Sequence, residues 1–174
     1  YEVHLFRAAF CLAFFGFLRV GELTCKSLTG HDPRPLQDGD IEIAYVDGSR
    51  MVRLTIRQSK TDQLDLKTTL FLSETGDLAC PVSSVSNFRA VRTQAVSNSR
   101  QFLVHFDGNP LTRYQFSSIL AKTVQFCNIP GEFRSHSFRI GAATEAAMRG
   151  IPDHTIKQWG RWKSGAYASY IGFV

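Results

Sequence analysis

The sequence predicts an α+β domain, mainly α-helical, with one small three-stranded antiparallel sheet. Two observations carry this. Apolar residues recur at helical spacing along most of the chain, whereas alternation of apolar and polar residues is confined to the stretch between Ile41 and Leu72. Within that stretch Asp47-Gly48 separates two alternating runs, the spacing and chemistry of a two-residue hairpin. At 174 residues the chain is one domain by length and large enough to bury a core.

Residues 2 to about 17 are apolar almost all round after the first turn, which places this helix at the domain centre. Arg19 and Glu22 follow, three apart, at a glycine-interrupted junction that opens a short second helix through about Leu28. A guanidinium at the end of so apolar a helix must be paired or functional, because burying it alone costs on the order of 3 kcal/mol or more.

After the loop T-G-H-D-P-R-P-L-Q-D-G-D, Ile41, Ile43 and Tyr45 alternate with Glu42 and Ala44, then Val52, Leu54 and Ile56 with Arg53, Thr55 and Arg57. A third strand from about Leu66 to Leu72 completes the sheet. The segment Q-S-K-T-D-Q puts Lys60 at the tip of the connecting loop. There its long stem can reach across a cleft, or it is one more solvated lysine.

The remainder is helical. A helix from about Ser83 to Val96 turns Val85, Phe88 and Val91 inward, and another from about Arg113 to Cys127 turns Phe116, Ile119, Leu120 and Val124 inward, with Thr112 and Gln115 as its capping box. Between them an extended piece ends in a turn and leaves His105 as an edge residue. A helix from about Ser137 to Arg149 ends at Gly150, and Asp153 caps a short helix from Thr155 to Trp159.

His136 and Arg139 stand at i and i+3, so both side chains leave one helix face and can converge on one small anion. Gly160-Arg161-Trp162 and two tyrosines, Tyr167 and Tyr170, close the chain. A phosphodiester held by guanidinium forks loses the charge that repels nucleophiles, and a tyrosine oxygen can then attack phosphorus without a metal. The same residues read equally as a surface arginine, a structural histidine and core aromatics.

A formal charge of +5 and a pI near 9.2 suit a polyanionic partner without requiring one. The cysteines at 11, 25, 80 and 127 lack zinc or C-x-x-C spacing and read as reduced, mostly buried thiols of an intracellular protein. The longest apolar run, Phe10 to Leu18, is too short to span a bilayer and lacks the features of a signal peptide.

Arg19, Lys60, His136, Arg139, Trp162 and Tyr170, in that order, resemble the active-site set of the tyrosine recombinases, the phage integrase family, and the resemblance covers nearly the whole chain. F-G-F-L-R-V-G-E-L is similar to the family's first arginine box, S-K-T-D-Q to its hairpin lysine, H-S-F-R to its His-x-x-Arg box and G-R-W-K-S-G-A-Y-A-S-Y-I to its closing segment. The wording is closest to recombinases of eukaryotic mobile elements such as the DIRS-like and Crypton groups. Many members carry a His after the glycine of the closing box. Here Arg161 and Trp162 stand there, with one residue fewer than usual between Trp162 and Tyr170; the role is carried to Trp162, and Arg161 could share it.

The resemblance implies the tyrosine recombinase catalytic-domain fold over residues 1–174, with a preceding DNA-clamping domain outside this sequence. It implies strand cleavage and rejoining through a 3′-phosphotyrosyl bond in DNA integration or transposition, with no cofactor or metal. The implied partner is double-stranded DNA, bound by a homo-oligomer, a tetrameric synapse, of the full-length protein, with no membrane. The setting is intracellular, and nuclear in a eukaryote. Arg19 and Arg139 would hold the non-bridging oxygens, Lys60 would protonate the leaving oxygen, His136 and Trp162 would orient the phosphate, and Tyr170 would attack. The base for Tyr170 is His136 or a phosphate oxygen, and Glu22 holds Arg19. Arg53, Arg57, Arg113 and Arg134 are candidates for backbone phosphates or plain surface charges. An inactive domesticated DNA-binding protein and a type IB topoisomerase or resolvase-like strand transferase are the alternatives.

Overall fold

Helix α1 (Glu2–Phe15) buries Leu5, Ala8, Ala9, Cys11, Leu12 and Ala13, the central position that its apolar circumference predicts. It stops two residues before the expected end, for a local steric reason. A Cβ on Gly16 would meet the Leu12 carbonyl oxygen at 2.8 Å and Leu18 Cγ at 2.9 Å, so only glycine lets the chain fold back this tightly. Phe17 then takes a left-handed backbone, φ 50°. Its N–H and that of Leu18 return to the carbonyls of Phe14 (3.1 Å) and Ala13 (3.0 Å), a Schellman closure. The strain of a left-handed phenylalanine, about 1 kcal/mol, is offset by burying its ring against Trp159 and Trp162.

The computed structural model describes residues 1–28, 33–57, 67–95, 100–163, 165, 168 and 171. The loop carrying Lys60 and the tyrosines Tyr167 and Tyr170 lie outside the described residues.

Helix α2 (Val20–Leu23) is a single turn rather than a run to Leu28. It ends early because Thr24 returns to extended backbone and Cys25 pairs with the segment around Thr112: the Cys25 N–H donates to Leu111 (3.0 Å) and the Arg113 N–H to Cys25 (2.9 Å). The turn carrying Arg19 and Glu22 is thereby tied to the start of a later helix.

Strands β1 (Ile41–Val46), β2 (Ser49–Ile56) and β3 (Thr68–Ser73) form an antiparallel meander in the order β1-β2-β3. Val46 faces Ser49, and Asp47 and Gly48 have φ 49° and 77°, the two left-handed residues of a type I′ turn. Val52, Leu54 and Ile56 are buried as their alternation predicts. Tyr45 departs from the pattern and is 74% exposed, because it lies near the hairpin turn where the strand pair passes beyond the core.

Helix α3 (Pro81–Ala95) packs along α1. Helix α4 (Arg113–Phe126) has the predicted capping box, with the Thr112 N–H donating to Gln115 Oε1 at 2.9 Å and the Gln115 N–H to Thr112 Oγ1 at 3.3 Å. Only Phe116 and Leu120 of its predicted inner face are buried. His105 is more than an edge residue: its Nδ1 lies 2.7 Å from Glu2, pinning the start of α1.

Helix α5 (Ser137–Met148) is followed by Gly150 at φ 74°, as expected. Helix α6 (Asp153–Trp159) starts two residues earlier than predicted, with Asp153 inside its first turn and Pro152 as the cap. The main core joins α1, α3, the sheet and Phe116. A second apolar cluster of Phe17, Ala142, Ala143, Ala146 and Ile156, with Trp162 against it, clamps α5 and α6 onto the end of α1. Cys11, Cys25 and Cys80 are buried thiols and Cys127 an exposed one. Among the described residues no helix is long and apolar enough to cross a membrane.

Candidate active site

The end of α6 repeats the construction at the end of α1. Arg161 has φ 54°, and the N–H groups of Arg161 and Trp162 return to Gln158 and Lys157, both at 3.0 Å. A glycine again precedes the left-handed residue for steric reasons, since a Cβ on Gly160 would lie 1.5 to 2.3 Å from carbons of the Trp162 ring.

Arg139 bridges these two helix ends. It is 2% exposed, its Nη1 donates to the Phe17 carbonyl at 2.9 Å, and its Nη2 donates to the Gly160 carbonyl. Carbonyls at a helix C-terminus carry the negative end of the macrodipole, so two such termini favour a cation between them. The Trp162 ring completes the setting, with the Arg139 guanidinium carbon 4.3 Å from its centroid.

Arg19 caps α2. Its Nη1 lies 3.2 Å from Glu22 Oε1, and its backbone N–H donates to Glu22 Oε2 at 2.8 Å. Glu22 is 4% exposed and holds a second guanidinium, with Arg161 Nη2 2.7 Å from Oε2. Arg161 also reaches the carbonyls of Gly16 (3.4 Å) and Phe17 (3.5 Å). Burial holds the Arg161 guanidinium below its ordinary pKa; the Glu22 carboxylate opposes this and the charge of Arg19 adds to it.

Between the α1–α2 junction and the start of α5 lies a cleft of about 170 Å³ lined by Leu18, Arg19, Val20, Ser135, His136 and Arg139. At roughly 30 Å³ per water, it has room for several waters or one phosphate group. His136 stands just before the first turn of α5, its carbonyl accepting from Arg139 (3.1 Å) and Ile140 (3.2 Å). Its ring is therefore at a helix N-terminus, where the dipole favours an anion. Burial, and then the charges of Arg139 and Arg19, hold the His136 pKa below the ordinary histidine value. A neutral imidazole is the form that can accept a proton.

The structure thus brings Arg19, His136 and Arg139 together at one cleft, although Arg19 is separated from the other two by most of the chain. Glu22 touches Arg19 and Arg161, and Trp162 stacks on Arg139; none of Glu22, Arg161 and Trp162 lines the cleft. Ser135, which also lines it, was missed in the sequence because it sits inside the R-S-H-S-F-R run with no spacing of its own. The parts played by Gly160 and the Phe17 carbonyl were missed as well; their one sequence signal is that both helix ends read glycine followed by two bulky residues.

Of the candidate backbone contacts, Arg53 pairs with Glu42 across the strands at 2.6 Å and Arg57 with Asp40 at 2.5 Å. Arg113 is exposed, with Nη2 close enough to Gly21 that a Cβ there would meet it at 3.3 Å. Arg134, 81% exposed in its side chain, lies 3.2 Å from Glu132 and directly precedes the cleft residue Ser135.

The XerH site-specific recombinase, in a post-cleavage complex with palindromic difH substrate, superposes with a TM-score of 0.71 at 14% identity, covering 98% of this chain and 42% of that one. A lambda integrase dimer bound to a COC′ core site gives 0.64 at 21% identity, covering 97% and 52%. The lambda integrase catalytic core gives 0.59 at 17% identity, covering 92% and 81%. The chain thus spans about half the length of the longer of these proteins. No curated protein sequence matches it. The sequence profile described as the Phage integrase family matches residues 5–170, and with that fold and this arginine-lined cleft the chain belongs to the phage integrase family.

Proposed function

We propose that this domain is the catalytic unit of a tyrosine recombinase that cuts and rejoins DNA strands in integration or transposition. The observation that carries the reading is the convergence of Arg19, His136 and Arg139 on one cleft at the start of α5. A phosphodiester there meets two guanidinium groups and a helix N-terminus, all favouring the charge that builds on the non-bridging oxygens of a pentacovalent phosphorus.

In the proposed reaction the Tyr170 oxygen attacks phosphorus, the phosphotyrosyl bond forms as the bond to the 5′ oxygen breaks, and Lys60 supplies that oxygen's proton. His136, held neutral, or a phosphate oxygen accepts the tyrosine proton. A 5′-hydroxyl from another strand reverses the step, so no external energy source enters. Trp162 fixes the plane of the Arg139 guanidinium, and its stacking face supports that role more directly than an indole hydrogen bond to the phosphate. Arg113, whose Nη2 lies by Gly21 next to the cleft residue Val20, and Arg134, directly before Ser135 and paired with the exposed Glu132, are the better placed for flanking backbone phosphates; Arg53 and Arg57 lie on the sheet and pair with Glu42 and Asp40. The substrate is double-stranded DNA, held by a tetrameric synapse of the full-length protein, and in a eukaryotic host this work is done in the nucleus.

The test is covalent selection. The full-length protein is incubated with a random pool of nicked duplexes, and the DNA that stays attached in denaturing detergent is recovered and sequenced. A recurring site is expected, lost in Tyr170→Phe. No attached DNA, or attachment that survives Tyr170→Phe, contradicts the reading.

A further inference from the structure

We propose that Arg161 is a positioning residue for phosphate binding, the element that offsets the Glu22 carboxylate so that the charge of Arg19 stays available to the cleft, and that links Arg19 to Arg139. This rests on the phosphate-cleft reading above.

Glu22 is almost fully buried and lies against Arg19; alone, that pair would be neutral, and the carboxylate would draw Arg19 away from an incoming phosphate. Arg161, with its side chain 8% exposed, sits 2.7 Å from the second carboxylate oxygen. Three groups with two positive charges and one negative leave a net +1 at the cleft wall. Arg161 offsets Glu22, so that Glu22 can orient Arg19 without cancelling it.

Geometry adds a second link. The Phe17 carbonyl accepts from Arg139 at 2.9 Å and lies 3.5 Å from Arg161, while the Glu22 carboxylate joins Arg161 to Arg19. One side chain therefore bridges the supports of both phosphate arginines. Arg161 itself is not among the residues lining the cleft, so it acts through them.

The backbone supplies an independent observation. Position 161 has φ 54° at the left-handed site of a helix closure, where glycine is favoured by about 1 kcal/mol. An arginine here is held against local backbone preference, and its side chain is spent inside the site rather than on the surface.

The experiment uses Arg161→Gly, which relieves the backbone while removing the guanidinium, with Arg161→Lys as a second variant and melting temperature as the check on folding. Two quantities are read in the full-length protein: affinity for inorganic orthovanadate, followed by the His136 ring protons in NMR, and the rate of adduct formation at saturating DNA. Arg161→Gly should weaken vanadate and slow the adduct by about 10-fold or more, with DNA affinity held within about twofold, and Arg161→Lys should recover part of both. In a Glu22→Gln background, where there is no carboxylate to offset, removing Arg161 should cost less than about threefold. Changes within twofold for Arg161→Gly, equal losses with and without Glu22, or no vanadate binding by the wild type would overturn the proposal. A wild type that forms no adduct yet binds vanadate in an Arg161-dependent way would sink the recombinase reading and leave this one standing.

Discussion

Arg139 holds its guanidinium carbon 4.3 Å from the centre of the Trp162 ring, with the ring itself laid against Gly160. An arginine that is 2% exposed cannot be positioned by solvent, so the ring and the two helix-end carbonyls fix where its guanidinium lies. Two substitutions address this stack from opposite sides. Trp162→Ala removes a desolvated cation–π contact worth about 2 kcal/mol, and Gly160→Ala places a methyl group where the ring is. Both should lower adduct formation by about 10-fold or more and lower the melting temperature. A Gly160→Ala protein with wild-type rate and stability would show that the stack does not set the arginine.

The two cleft arginines, Arg19 and Arg139, should separate in their effects on stability. Each alanine variant is expected to slow strand cleavage by about 100-fold or more, as for loss of an oxyanion donor. Arg139→Ala also leaves buried carbonyls without a strong donor, at about 1–3 kcal/mol each, whereas Arg19→Ala leaves Glu22 still paired with Arg161 and should shift stability by no more than about 1 kcal/mol. Arg139→Lys should be nearly as slow as the alanine, because an ammonium cannot span both carbonyls and a phosphate oxygen. Denaturant melts beside single-turnover cleavage check this; equal stability losses for both positions would contradict the buried geometry.

The sequence made the central helix, the hairpin turn, the capping box and the pairing of His136 with Arg139 legible, because each is written in local spacing. What it left unread is contact between distant segments. Nothing near Arg161 announces Glu22 as its partner, since the two meet only when α6 is clamped onto the end of α1 by the Phe17 cluster. The early end of α2 has the same origin: Cys25 is drawn into a bridge with Thr112 that no local pattern specifies. The length of α1 was misread for a local reason, Gly16 admitting a turn that the apolar run conceals.

The pH dependence follows from His136, whose pKa is held below the ordinary value by burial and by Arg139 and Arg19. With a folded value below the unfolded one, near 6.5, the unfolded chain takes up the proton first as pH falls. The associated stability is present above the unfolded value and is lost as pH falls through the folded value. Adduct formation should accordingly stay level from pH 8 down to about 6.5 and fall below it, and His136→Gln should remove that fall along with most of the rate. A pH–rate profile at saturating DNA reads both; a decline that begins above neutrality would contradict a neutral His136.

The most direct test of the account is the identity of the residue that carries the DNA. Tyr167 and Tyr170 stand three apart in the closing segment, and only one can meet phosphorus in line. The covalent complex formed on a selected nicked duplex is digested with protease and nuclease, and the peptide that retains a nucleotide is sequenced by mass spectrometry. The account predicts the nucleotide on Tyr170, an adduct retained by Tyr167→Phe, and none from Tyr170→Phe with DNA binding intact. A nucleotide on Tyr167, or on any residue other than a tyrosine of this segment, would contradict it.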